Sequence, residues 1–250
     1  MSSLLSLPIQ PLPERGVDSN KAILETHSNL VLLEHLLKRA DIWQASQVST
    51  GQDAISTGYG NLDQLLHYQG WPLNRLTEIL LSQPHIGEMA LVLPSVVKQM
   101  RTGGVLFLIE PPFNPYAPAW LNANIDIQRI FIIKSCQEQD WLWAAEQVMS
   151  SKGVACCLFW PPKNHLSNKI LKRLQLAAKE GSALNFIFRQ DSVANQSSPA
   201  SLRLKLRPSV NLHSTNLYSS NTQNINLDIE ILKQQGGWSG QQSSLQLKSL

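Results

Sequence analysis

Residues 76–101 read LTEILLSQPHIGEMALVLPSVVKQMR, and three textures follow one another in them. LTEILL (76–81) is a short apolar run, SQPHIGEM (82–89) is a turn holding Pro84 and Gly87, and EMALVLPSVVKQMR (88–101) has helical spacing. Strand, tight turn and helix in that order open a strand–helix–strand unit. The alternation continues downstream. VLFLIE (105–110) is a second strand, ended by Pro111 and Pro112, and RIFIIK (129–134) is a third. EQDWLWAAEQVMSS (138–151) reads as a helix, and VACCLFW (154–160) as a fourth strand stopped by Pro161 and Pro162. A helix over 166–180 then leads to ALNFIFR (183–189). Apolar strands of this length separated by helices fit a parallel sheet covered on both faces, and crossover handedness leaves few topologies. The expected class is α/β, with a mostly parallel central sheet flanked by helices.

The core expected from this pattern spans 51–190. Beyond it, 191–250 holds strands and a polar loop. In SLRLKLRP (201–208), Leu202, Leu204 and Leu206 face one way and Arg203, Lys205 and Arg207 the other. INLDIEIL (225–232) has the same period, and SLQLKSL at the end adds a further strand. These read as a hairpin-like edge or a small appendage, joined by a flexible polar loop at about 209–223. Ahead of the core lie an extended, proline-containing leader over 1–20 and an N-terminal helix and linker over 21–50. There Ile23, Leu24, Leu30, Leu33, Leu36 and Leu37 recur at helical spacing.

Composition narrows the function classes. Of the 250 residues 43% are hydrophobic, enough for a sizeable core and too many for wholesale disorder. No apolar run approaches the roughly 20 residues that span a bilayer. MSSLLSLPIQPLPERG is broken by three prolines and lacks a basic start, unlike a signal peptide. The three cysteines and six histidines show no ligand spacing, so neither a disulfide framework nor a structural metal is expected, and the expected location is cytoplasmic. The net charge of +3 hides an asymmetry: residues 1–150 carry −5 and residues 151–250 carry +8. Two readings fit the basic half, a nucleic acid or acidic partner and a solubilised tail.

The turn after the first core strand is where a helix amino terminus binds phosphate in many α/β proteins. A Walker loop, G-x-x-x-x-G-K-[ST], uses backbone amides to cradle phosphates, a lysine to neutralise them and a hydroxyl to hold magnesium. In the corresponding stretch only the second glycine is present, as Gly87. The first is Ser82, the lysine is Glu88 and the hydroxyl residue is Met89. A carboxylate at that place repels phosphate by on the order of a few kcal/mol. Met89 offers no oxygen to magnesium. The strand that would supply a magnesium-holding aspartate runs into Phe159, Trp160 and Pro161. No cofactor, metal or catalytic residue is expected, and no ATP hydrolysis by the P-loop mechanism.

Around this loop the chain resembles a RecA-type core with a lost nucleotide site. ISTGYGNLDQLLHYQGWPLNRLTEI (55–79) is similar to the segment leading into the RecA Walker strand. Further short motifs follow in order: Gly-Trp-Pro (70–72), Pro-Tyr-Ala-Pro (115–118), Trp-Ala-Ala-Glu-Gln (143–147), Arg-Leu-Gln-Leu-Ala-Ala (173–178), Phe-Ile-Phe-Arg (186–189) and Gly236-Gly237. They resemble the ImuA family of translesion-synthesis accessory proteins, within the RecA-like superfamily that also holds the division inhibitor SulA. The resemblance runs from about Asp41 to Gly237. It implies a non-catalytic SOS-response adaptor in error-prone translesion DNA synthesis, associated with the nucleoid after DNA damage. The implied partners are an ImuB-type relative of Y-family polymerases, RecA and, indirectly, an error-prone replicative-type polymerase subunit. Two alternatives stand beside it, a SulA-like inhibitor acting on the division GTPase FtsZ and a divergent RecA-type ATPase.

Candidate contact residues complete the reading. Lys169, Lys172 and Arg173 share one face of the 166–180 helix. Together with Arg203, Lys205 and Arg207 they suit weak, salt-sensitive DNA or acidic-partner contact, or else a solvated surface and a guarded strand edge. Trp141 and Trp143, two apart on a helix, cannot both be buried on one face, and Trp238 beyond the last strand pattern is a candidate partner contact. Tyr116 is expected to pack its own loop.

Overall fold

A computed structural model describes residues 54–135, 140–163, 165–209 and 224–248. The expected leader, the 21–39 helix and the 210–223 loop lie outside the described residues. A short strand pair comes first: β1 (Ala54–Ile55) runs antiparallel to β2 (Trp71–Pro72), with α1 (Gly60–Leu65) between them. The main sheet follows, with strands β3 (Leu76–Leu81), β4 (Val105–Ile109), β5 (Ile130–Ile133), β6 (Val154–Phe159), β7 (Leu184–Gln190), β8 (Leu202–Pro208), β9 (Asn224–Gln234) and β10 (Gln242–Lys248). The spatial order is β10-β9-β8-β3-β7-β6-β4-β5. The six strands β3 to β8 run parallel to one another, and β9 and β10 add antiparallel at one edge.

Four helices fill the crossovers among the described residues: α2 (Glu88–Met100), α3 (Ala117–Asn122), α4 (Asp140–Ser150) and α5 (Asn168–Glu180). The strands alternate their side chains between two cores. Ile79, Leu81, Leu106 and Leu158 meet Leu91, Val92 and Val96 of α2 on one face. Leu76, Ile109, Cys157 and Phe159 meet Trp141 and Ala145 of α4 and Leu171 and Leu174 of α5 on the other. All six residues of β3 and all six of β6 are buried, the signature of strands covered on both sides. Cys156 and Cys157 point to opposite faces, and burial raises both thiols far above the ordinary range, so neither is a reactive thiolate.

The sequence reading of 201–232 as an edge or appendage is corrected here. β8 is an interior strand, parallel to β3 and antiparallel to β9. Its leucines, with Leu227, Ile229, Leu245 and Leu247, extend the α2-side core without a break. The basic stripe of β8 therefore guards no edge.

A buried ionic cluster explains why β8 takes that place. Glu78 of β3 is fully buried and sits opposite Arg203 of β8 in the ladder. Its carboxylate accepts from Arg203 on one side and Arg189 of β7 on the other, both guanidiniums being buried as well. Arg203 also donates to the carbonyls of Val193 (3.2 Å), Ala194 (3.3 Å) and Gln196 (2.9 Å). Lys205 reaches Asp191 at 3.1 Å and Lys233 of β9 reaches the Ser198 carbonyl at 2.7 Å. Burial lowers the Lys233 ammonium below the usual lysine range, Arg203 adding to the effect and Glu78 opposing it. Cations from two strands thus hold the crossover between β7 and β8.

A second constraint lies in α2. Pro94 is inside the helix and lacks the N–H that would bond the Ala90 carbonyl one turn earlier. The Tyr59 hydroxyl supplies the missing donor at 2.9 Å, tying the segment before α1 to α2. Gly58 passes so close that a Cβ there would lie 2.6 Å from Pro94 Cβ.

Two stability experiments follow from these contacts. Glu78→Gln strands two buried guanidiniums without their carboxylate, and urea denaturation should show a loss of about 3–5 kcal/mol. Glu78→Leu combined with Arg189→Met and Arg203→Met should recover part of it. Tyr59→Phe should cost about 1–3 kcal/mol by orphaning the Ala90 carbonyl, and should become nearly neutral in a Pro94→Ala background, where the helix restores its own donor.

Candidate functional site

The loop that joins β3 to α2 turns sharply at its end. His85 and Gly87 both take left-handed backbone angles, φ 62° and 113°. Gly87 caps α2, and its carbonyl accepts the first helical bond from Leu91 (3.0 Å). The position also excludes a side chain for lack of room, since a Cβ would lie 2.7 Å from Ile225 Cγ2. With this geometry successive amides converge on one point, the arrangement that binds anions.

That point is occupied by the chain itself. The Glu88 carboxylate folds back and accepts from the amides of His85 (Oε1, 3.1 Å), Ile86 (Oε2, 3.0 Å) and Gly87 (Oε2, 3.2 Å). Glu88 is only 5% exposed. Its charge also sits in the first turn of α2, where the helix dipole favours an anion. The sequence reading treats Glu88 as a charge repelling phosphate, whereas its geometry makes it the ligand of the amide cradle. Ser82 is exposed and donates its amide to the Leu206 carbonyl (3.3 Å), away from the cradle. Met89 turns into a neighbouring cavity.

This cavity, of about 300 Å³, lies at the carboxyl ends of the parallel strands, the usual place for α/β ligands. Met89, Leu93, Leu108, Trp120 and Trp160 line it, and among the described residues no Lys or Arg does so. Trp160 stacks on Phe188 with centroids 4.7 Å apart, and His85 packs on Phe113 at 4.3 Å. A second hollow, of about 360 Å³, shares Glu88, Pro111, Pro112 and Trp160 with the first. Glu110, in left-handed backbone at the end of β4, directs its carboxylate to the amide and hydroxyl of Ser135, tying the ends of β4 and β5 together. Phe113 and Tyr116 stand on the rim, 56% and 72% exposed. Tyr116 therefore does not pack its own loop as expected. The run PPFNPYAPAW (111–120), proline and aromatic in alternation, is the sequence signal that marks this rim.

The basic candidates are not brought to the crevice. Arg203 is buried on Glu78 and backbone carbonyls, so it is no DNA or partner contact. Lys205 is paired with Asp191 (3.1 Å), and in the ladder Lys205 and Arg207 stand opposite the acidic Glu230 and Asp228 of β9, whose charges offset theirs. The stripe expected from the sequence is thus reduced to Lys205 and Arg207, with acidic residues across the ladder. Lys169, Lys172 and Arg173 are exposed on α5, on the far side of the sheet from α2, with Arg173 paired to Glu146. Trp141 is buried and Trp143 is the exposed member of that pair, while Trp238 is 83% exposed. Among the described residues no His/Cys/Asp/Glu group is arranged to hold a metal ion, and no helix is long and apolar enough to cross a membrane.

No family model matches the chain. Over 123 residues, 49% of its length, it is 30% identical to the cell division inhibitor SulA of Photorhabdus laumondii subsp. laumondii, covering 68% of that protein. The crystal structure of SulA from Pseudomonas aeruginosa matches at 20% identity and a TM-score of 0.37, over 46% of this chain and 97% of that one.

Removing the internal carboxylate should expose the cradle. Glu88→Ala should lower stability by about 1–3 kcal/mol. At matched ionic strength, sulfate should then raise the melting temperature of this variant and leave the unaltered protein where chloride leaves it. An equal response of both to sulfate would place the carboxylate elsewhere.

Proposed function

The chain belongs to the family of the cell division inhibitor SulA, and on that footing we propose that it is a division inhibitor, a non-catalytic protein that binds the division GTPase FtsZ and keeps it from assembling. The match over most of the length of SulA carries this reading. It moves the alternative of the sequence analysis to first place. The adaptor role in translesion synthesis, with an ImuB-type partner, RecA and an error-prone polymerase subunit, draws no support from the likeness to SulA.

The crevice supports binding in place of catalysis. In our reading the core is RecA-like and the loop before α2 is a degenerate nucleotide loop. A cradle already filled by Glu88 has no room for a phosphate, and Met89 lines an apolar cavity where a hydroxyl would hold magnesium. What such a site retains is a rigid apolar hollow with two exposed aromatic side chains on its rim. Exposed aromatics over a well-packed base are the residues that dominate protein interfaces. Phe113 and Tyr116 are therefore the contacts we assign to FtsZ.

The test is FtsZ assembly followed by light scattering and sedimentation with GTP. The protein should suppress polymer at near-equimolar ratio. Phe113→Ala and Tyr116→Ala should each weaken suppression roughly tenfold without changing the melting temperature. Full polymer at excess protein would refute the reading, and capture of an ImuB-type protein or RecA in its place would restore the adaptor.

A further inference from the structure

The outer face of α4 and α5 is a second surface, on the opposite side of the sheet from α2, and the division-inhibitor reading makes no use of it. Both helices return along parallel strands and so run parallel to each other. Their register is fixed by a two-pronged ion pair in which Arg173 Nε and Nη2 reach Glu146 Oε1 and Oε2 at 2.6 and 2.7 Å. Trp143 lies one turn before Glu146, beside the turn of α5 that carries Lys169 and Lys172. Leu176 lies one turn after Arg173. Both large apolar side chains point outward, 65% and 59% exposed, while Trp141, Leu171 and Leu174 of the same helices are buried.

On α5, Lys169, Lys172, Leu176 and Lys179 form one exposed stripe at steps of three, four and three residues, about 15 Å long. Among the described residues none of these three lysines has an ion-pair partner. The face thus combines two apolar anchors with cations along one flank. Covering Trp143 and Leu176 together would remove two large apolar side chains from water, a favourable contribution for any partner that fits them.

We propose that this face docks an acidic, amphipathic segment of a partner protein, its apolar side chains seated on Trp143 and Leu176 and its carboxylates facing Lys169, Lys172 and Lys179. Charge decides the sign of the partner and Leu176 decides its class. A nucleic acid backbone would meet an aliphatic side chain in the middle of the lysine row, where it needs a donor, and the arginine of the face is committed to Glu146. A peptide with an apolar residue between acidic ones meets both demands.

Fluorescence anisotropy of the full chain tests this with three probes: a fluorescein-labelled amphipathic peptide of Glu, Leu and Phe, an all-Glu peptide of equal length, and an oligothymidine. The amphipathic peptide should bind roughly tenfold tighter than the all-Glu peptide. Trp143→Ala and Leu176→Ala should each weaken it by roughly tenfold, with Trp143→Phe retaining most of the affinity. Lys169→Glu combined with Lys172→Glu should abolish binding. All these positions are exposed, so circular dichroism and the urea midpoint should not move. Absence of peptide binding, or binding indifferent to these substitutions, would overturn the proposal. So would tighter binding of oligothymidine that is lost in the double lysine variant, which would make the face a nucleic-acid surface.

Discussion

One buried carboxylate organises the sheet. Glu78, on the first strand of the core, lies between arginines of the strands on either side of it, and Arg203 in turn holds the carbonyls of the crossover that brings β8 back. Apolar packing alone would hold β8 between β3 and β9 about as well in a register shifted by two residues, since its leucines repeat every second residue. The ionic cluster admits one register, because a slip by two residues, which the leucines would tolerate, would put Ser201 or Lys205 opposite Glu78 in place of Arg203. Buried ions of this kind contribute little net stability against a well-packed apolar replacement, and their attested use is specificity of arrangement. Everything attached to β8, including the antiparallel β9 and β10 and Ile225 against Gly87, depends on that placement.

The same logic, an internal charge taking a place that could be offered to something outside, recurs at the loop before α2. Three amides converge there and the carboxylate of the next residue fills them. The chain itself satisfies these three amides, and the adjoining hollow is walled by packed aromatic rings. Such a site is stable when empty and apolar when open, which suits a protein surface for recognising another protein.

Much of this was legible in the residues. The strands from 76 to 189 are short continuous apolar runs, two of them stopped by proline pairs, and each appears within a residue or two of its reading. Alternation correctly assigned Leu202, Leu204 and Leu206 to one face and Arg203, Lys205 and Arg207 to the other. Alternation says which face, however, and not what covers it. The segment that buries Arg203 is polar and irregular, and the acids opposite Lys205 and Arg207 lie on a strand across a long loop. Glu88 was recognised as the decisive residue, but spacing cannot reveal that a side chain folds back onto its own turn. The hydroxyl of Tyr59 on the carbonyl freed by Pro94 had no signal in the sequence at all, because the partners are 31 residues apart.

The loop before α2 closes its own amide cradle with the Glu88 carboxylate, which leaves no place there for a phosphate. Isothermal titration of the full chain with Mg-ATP tests it most directly. The account predicts no saturable heat and no accompanying rise in melting temperature. Saturable binding of Mg-ATP, with the stabilisation that binding to the folded state must bring, would contradict it.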